Sequence, residues 1–266
     1  MAQETDNDSG VDENLNALIN SSGDIAGGAI GAALGFFAGG PVGAALGGTS
    51  GPAAATAIRK IGHEATRRLL GPREKVRVGG ALAVAAAHIK ARTERGEILR
   101  ADGFFENRHG GRSDAEEVAE SVLLKRQREA EERKIQFMAY LIANIAFNSK
   151  ISAQLAHQIV KAAGSMSYRQ LCIMELAVVS RSYSLRTTDY RGQSGFEKEQ
   201  YQILYECLDL YHRAFVNFGG EVAFGLTDVK PGSMQLQAMG VDIFNEMGLT
   251  TIPQADIDPI ADQLSK

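Results

Sequence analysis

Between residues 23 and 51 the chain reads GDIAGGAIGAALGFFAGGPVGAALGGTSG, which places glycine at Gly23, Gly27, Gly31, Gly35, Gly39, Gly43, Gly47 and Gly51, each four residues after the last. In water every glycine inside a helix costs about 1 kcal/mol relative to alanine, so a solvated helix of this composition does not hold together unaided. The residues three positions after successive glycines are Ile30, Leu34, Ala38, Val42 and Leu46. On a helix this leaves a groove of bare backbone beside a ridge of larger side chains, and a second backbone can approach closely along it. Close approach through small residues four apart is how helices associate in lipid, where burial of apolar surface gives no advantage. No charged residue occurs from Ile25 to Ile58.

Four residues turn a helix through about 400°, so the groove drifts about 40° per step and cannot stay on one face of a straight helix. Pro41 resolves the conflict. It lacks an N–H and disfavours helix at Gly40, so it divides the glycines into two sets of four as a kink or a tight hairpin. An unbroken helix over 25–58 would be ~51 Å long, against a hydrocarbon core of ~30 Å. The expectation is one kinked crossing, or a hairpin that crosses only after assembly with copies of itself. Two water-soluble readings compete. A buried helical hairpin with close glycine packing would use the same spacing, whereas a phosphate-cradling loop would not, because no two glycines in the run stand two apart and no Gly-Lys pair occurs.

The flanks carry charge of opposite sign. Residues 1–24 hold Glu4, Asp6, Asp8, Asp12, Glu13 and Asp24 with no Lys or Arg, which reads as a disordered acidic arm. Residues 59–100 hold eleven Lys and Arg against four Glu, a local net of +7. Basic side chains just beyond an apolar run are drawn to anionic lipid headgroups by about 1 kcal/mol each and tend to remain on the cytoplasmic side. Arg59, Lys60, Arg67, Arg68, Arg73, Lys75 and Arg77 are the expected headgroup contacts. The acidic start argues against a cleaved secretory signal, and the two cysteines, Cys172 and Cys207, imply no disulfide framework. The expected layout is an acidic arm (1–24), a membrane-inserting segment (25–58), basic membrane-proximal helices with a loop (59–112) and a soluble helical domain (113–266). That layout places the chain at the inner, cytoplasmic membrane with a cytoplasmic C-terminal domain, soluble before insertion.

The run over 23–51 resembles the glycine-zipper class of membrane segments, whose hallmark is G-x-x-x-G-x-x-x-G with small or aliphatic residues between. Such segments occur in channels, envelope lipoproteins and toxins, so the likeness implies helix packing in a membrane and leaves function open. No cysteine for lipidation stands near the start, unlike the lipoprotein members.

The segment VGGALAVAAAHI (78–89) is uncharged but spans only ~18 Å as a helix, too short to cross, so it is expected to be buried or interfacial with His88 at its boundary. ADGFFENRHGGRSD (101–114) has loop composition and is expected to divide a membrane-proximal part from the rest. Ser113 or Asp114 then caps a long helix with early carboxylates. Within it KRQREAEERK (125–134) reads as a solvated helix, while IQFMAYLIANIAF (135–147) belongs in a core or an oligomer interface.

Farther on, Ser152 and Gly164 bracket one short helix, and Ser167 with Gln170 makes a capping box for the next. A polar connection (182–196) leads to a helix with Tyr201, Leu204, Tyr205, Leu208, Tyr211 and Phe215 at helical spacing, stopped by Gly219 and Gly220. EVAFGL and SMQLQAMG around Lys230-Pro231-Gly232 read as a hairpin with a type II turn, VDIFNEMGL as a last helix, and the end of the chain as a tail punctuated by Pro253 and Pro259. Three helices, a hairpin and a closing helix over 152–250 resemble the winged-helix order. A DNA-reading member needs phosphate contacts on its third helix. Here that helix carries Glu197, Glu199, Glu206 and Asp209 against Lys198 and Arg213, so the likeness implies a protein partner, a second copy or a regulator, and nucleic acid is not favoured. The chain also has a faint resemblance to helical abortive-infection proteins of bacteria, in which a membrane-active part accompanies a helical sensor.

No catalytic constellation has usable spacing. Gly192-Gln193-Ser194-Gly195 does not complete G-x-S-x-G, His63-Glu64 lacks the second histidine of H-E-x-x-H, and the histidines (63, 88, 109, 157, 212) stand singly. No enzyme activity, metal or cofactor is expected. The sequence thus describes a mainly α chain: a glycine-rich membrane-type helix or hairpin, then a helical domain ending in a small winged-helix-like β-hairpin. The leading expectation is a membrane-inserting, self-associating protein, a pore-forming or membrane-disrupting bacterial defence effector. The alternative is a soluble regulatory or scaffolding protein.

Overall fold

The computed structural model describes residues 72–108, 111–127, 131–193 and 195–266. Among them the chain is mainly helical, with eight α-helices and one two-stranded sheet near the C-terminus. The described residues form two compact units, which meet in sequence between Ser165 and Met166.

The first unit contains α1 (Pro72–Glu94), α2 (Asp114–Gln127), α3 (Ile135–Ile145) and α4 (Ala153–Gly164). Proline suits the first position of α1, where no intrahelical N–H bond is required. In the second half of α1 nearly every side chain from Val84 to Ile89 is buried, because the helix packs on α3 and also touches α2. Small alanines allow both approaches. α1 ends in a Schellman motif: the Glu97 N–H donates to the Arg92 carbonyl (3.1 Å) and the Gly96 N–H to that of Thr93 (2.9 Å), with Gly96 in the left-handed region at φ +86°.

Residues 101–108 and 111–113 are irregular, as their composition predicts, and lie within this unit. Arg100 is buried and ties the segment down: its backbone N–H donates to the Ala146 carbonyl (3.0 Å), and its Nη1 donates to the carbonyls of Ile151 (2.9 Å) and Ile145 (3.3 Å). The guanidinium also pairs with Asp102 and covers the ring of buried Phe104.

Ser113 is the cap of α2. Its Oγ accepts from the Glu116 N–H (3.3 Å) while the Glu116 carboxylate accepts from the Ser113 N–H (2.7 Å), the reciprocal pairing of a capping box. The charged stretch 125–134 does not continue as one solvated helix: α2 ends at Gln127, a 3-10 turn occupies Glu132–Lys134, and Lys134 is buried. Helix-favouring charges fit either arrangement locally. α3, which buries Phe137 through Ala143 and Ile145, has to enter a core on all sides, and that requirement overrides them. α4 begins at Ser152, whose side chain accepts from Leu155 N–H, and packs on α2. Gly164 is the last helical residue and not a left-handed cap; a Cβ there would meet Lys125 Cδ at 2.8 Å.

The second unit contains α5 (Tyr168–Val179), α6 (Lys198–His212), β1 (Val216–Phe218), β2 (Met234–Leu236), α7 (Met239–Glu246) and α8 (Gln254–Ser265). The Ser167–Gln170 capping box is present. α5 is the central element, buried from Gln170 to Ala177, with α6, α7, α8 and β2 packed around it. The polar connection before α6 is anchored by Leu185 and by Tyr190, which is fully buried.

Four expectations fail here. α6 stops at His212, because Ala214 takes the left-handed conformation (φ 58°) and the Phe215 N–H donates to the Leu210 carbonyl, so Gly219 and Gly220 come too late to be the stop. The hairpin's first strand is therefore Val216–Phe218, paired antiparallel as Val216↔Leu236 and Phe218↔Met234, while most of EVAFGL is connecting loop. The Lys230-Pro231-Gly232 turn is a 3-10 turn without a left-handed Gly232, and so not type II. Finally, the expected tail is α8, despite Pro259 inside it. An interior proline costs about 3 kcal/mol, and burial of a large aliphatic side chain returns about 1.5–3 kcal/mol. Ile257, Ile260 and Leu264, with Ala261, line the buried face at helical spacing and outweigh the proline.

Candidate functional site

The expected membrane-contact residues Gly23, Gly27, Gly31, Gly35, Gly39, Gly43, Gly47 and Gly51, the kink residue Pro41, and Arg59, Lys60, Arg67 and Arg68 lie outside the described residues. Arg73, Lys75 and Arg77 fall on the first turns of α1. Among the described residues no helix is long and apolar enough to cross a membrane; α1 is long enough but not apolar enough.

The most elaborate polar cluster in the first unit sits in the seam between α1 and α3. His88, half-buried, places Nε2 3.0 Å from Asn144 Oδ1, and the same oxygen accepts from Arg92 Nη1 at 2.7 Å. With two donors converging on that oxygen, the neutral imidazole carries its proton on Nε2. Arg92 also donates from Nε and Nη2 to Glu97 Oε2 (2.8 and 2.6 Å) and lies 4.1 Å above the Phe147 ring centroid. The His88 ring packs against Tyr140, centroids 4.8 Å apart. Burial holds the imidazole below its ordinary 6.5; the Asn144 hydrogen bond opposes this, and the Arg92 and Arg95 charges add to it. Arg92 holds the Glu97 carboxyl below the usual range through its hydrogen bonds. His88 is thus an interior polar residue of a helix pair, where the sequence placed it at a boundary.

A second histidine pair carries no chemistry by itself. His157 Nδ1 lies 3.1 Å from Ser121 Oγ, but Ser121 also donates to the Glu117 carbonyl one turn earlier, and among the described residues no carboxylate orients the ring. Acyl transfer needs the base oriented and an oxyanion site supplied, and neither is present in this pair.

In the second unit, α8 is fastened to α5 and its following turn by two phenol–carboxylate bonds, Tyr168 to Asp256 (2.8 Å) and Tyr183 to Asp258 (2.9 Å). Glu175, on α5, is buried with Oε2 lacking a partner, and burial raises its carboxyl above the usual range. Cys172 and Cys207 are buried and form no disulfide, and burial pushes the Cys207 thiol up, which keeps it protonated and unreactive. Among the described residues no group of three or more His, Cys, Asp or Glu is placed to hold a metal ion. The large apolar side chains most exposed on this unit are Tyr201, Tyr205, Val222 and Phe224, at 51, 60, 61 and 84%. The tyrosines belong to the helically spaced set of α6, of which Leu204 and Leu208 are buried; Gln200, Ile203, Cys207 and Leu210 are buried beside them.

Comparison with protein-family models, with curated proteins and with solved structures finds no match to this chain.

Proposed function

We propose that this is a membrane-inserting, self-associating helical protein in which residues 23–58 enter the bilayer and the C-terminal region remains in the cytoplasm. One observation carries the reading: eight glycines spaced by four, seven of them inside the uncharged run 25–58, followed at once by a block of net charge +7. A crossing would have to come from residues before Pro72, since no described helix can supply one. Only seven residues of 25–48 are strongly apolar and the other seventeen are Gly, Ala or Pro, so a single copy inserts marginally and assembly completes the insertion. A segment of that kind is held out of the membrane until triggered, which suits a pore-forming or membrane-disrupting defence effector. Carbonate extraction of the full chain beside a chain starting at Arg59 tests it. Only the full chain should stay with membranes, and Gly31→Leu with Gly35→Leu should release it and abolish any toxicity. Equal release of both chains would refute the reading.

The exposed Tyr201, Tyr205, Val222 and Phe224 favour a second reading, a soluble regulatory or scaffolding protein whose winged-helix-like C-terminal part binds a protein partner. Equal release of the two chains in the same extraction is the result it expects.

A further inference from the structure

The α1–α3 seam joins apolar packing to one polar cluster that changes charge near neutral pH. On the α1 side, Val84, Ala85 and Ile89 are buried; on the α3 side, Phe137, Leu141 and Ile145 are. Against this apolar contact stand His88, Arg92 and Asn144. Asn144 has a single acceptor oxygen facing two donors, and Arg92 is fixed by Glu97 and by the Phe147 face. A proton taken up by His88 goes to Nδ1, which has no hydrogen-bond partner among the described residues. It creates a half-buried cation beside a guanidinium that is already cationic, and Asn144 has no charge with which to balance the pair.

The groups around the imidazole are few. Arg92 and Arg95 oppose its charge and Glu97 favours it. α3 presents Tyr140 and Asn144. Of the α2 carboxylates, Asp114 pairs with Arg108, Glu120 with Arg112, and Glu116 with the Ser113 cap. Glu97 is itself engaged by Arg92 and Arg95, so its charge is largely spent before it reaches His88.

We propose that the α1–α3 seam is a proton-sensitive latch, in which protonation of His88 beside Arg92 parts the two helices and frees α1. The direction follows from linkage. In an opened seam the imidazole takes a proton near 6.5, and in the closed seam only at lower pH. Below 6.5 the open form therefore binds more protons, and the closed form loses ground as pH falls, by at most about tenfold per pH unit for a single site. Opening uncovers the apolar face of a helix that lies within the basic block. The latch stands on the seam itself; that it governs bilayer entry rests on the membrane reading above.

Hydrogen–deuterium exchange of the full chain at pH 7.5 and 5.5, corrected for intrinsic rates, tests it. The amides of α1 should gain up to about tenfold in exchange at pH 5.5, relative to α4 as an internal reference. His88→Gln keeps a side-chain donor for Asn144 and cannot titrate, so its exchange should change less than about twofold between the same pH values. Asn144→Asp supplies the missing anion, and its seam should tighten on acidification. Acid opening retained in either variant, or absent from the wild type, overturns the latch; if His88→Gln does not fold, Asn144→Asp decides alone. Cosedimentation with phosphatidylcholine vesicles containing phosphatidylglycerol separates the two ideas. Vesicle binding that rises at pH 5.5 in the wild type and not in His88→Gln supports the link, and α1 opening without vesicle binding refutes the membrane reading while the latch stands.

Discussion

At the scale of single residues, the two helix ends that share one motif differ in the residue filling its critical position. Gly96 ends α1 and Ala214 ends α6, each with a left-handed backbone, and the N–H of the next residue, Glu97 or Phe215, donates to the carbonyl five residues before it. Glycine adopts that conformation freely, while an L-side chain there costs about 1 kcal/mol or more. Ala214→Gly should therefore stabilise the second unit by about 0.5–1 kcal/mol, read as a higher midpoint in urea with an unchanged slope. The opposite substitution at Gly240 is barred by contact: a Cβ there would lie 2.1 Å from the Phe215 carbonyl oxygen, which holds the start of α7 against the end of the α6 turn. Gly240→Ala should cost more than Gly96→Ala, although only Gly96 is left-handed, and chemical denaturation of the two variants checks the order.

At the scale of elements, α5 carries the second unit's core and, within it, an acid with an oxygen left unpaired. Glu175 is raised by burial, so its contribution is fully present below 4.5 and is lost as pH climbs through the raised value. Glu175→Gln should remove that dependence and stabilise the unit at pH 7.5 by on the order of 1 kcal/mol, seen as a flattened profile of unfolding midpoint against pH. The elements legible in the sequence were those whose signals are local. Ser113 with Glu116, Ser152, and Ser167 with Gln170 each satisfy helix N–H groups within one turn; Ser152 and Ser167 are where the pattern put them, and Ser113 is one of the two residues it offered. What could not be read is set by distant partners. Nothing near Ala214 announces a helix stop, α8 forms because its aliphatic face has a core to meet, and Lys134 is buried although its neighbours are charged.

At the scale of the whole molecule, the two units respond to protons in opposite senses. His88 weakens the first as pH falls below 6.5, and Glu175 strengthens the second as pH falls toward 4.5. Glu97 and Asp228, held low by Arg92 and by the Phe224 N–H respectively, stay ionised through that window and do not blur the contrast. Exchange measured at pH 7.0 and 4.5, corrected for intrinsic rates, should rise across α1 and α3 and fall across α5 and α8; parallel changes in both would contradict it. The candidate site divides in the same way between legible and hidden. A repeat of glycines is a property of sequence alone, whereas His88 and Asn144 are 56 residues apart and their contact exists only once two helices have packed. No spacing rule reaches that far.

Arg100 gives the seam a mechanical character. Its guanidinium and backbone fasten the chain just beyond α1 to the carbonyls at the end of α3 and the turn after it, close to His88 and Arg92 along the helix. With that corner riveted, α1 cannot drift away as a body and can only swing like a door on its hinge. The latch lies near the hinge pin and Pro72 is ~30 Å away along the helix, so a small parting at His88 becomes a wide sweep at the helix start, where the chain leads back to its glycines.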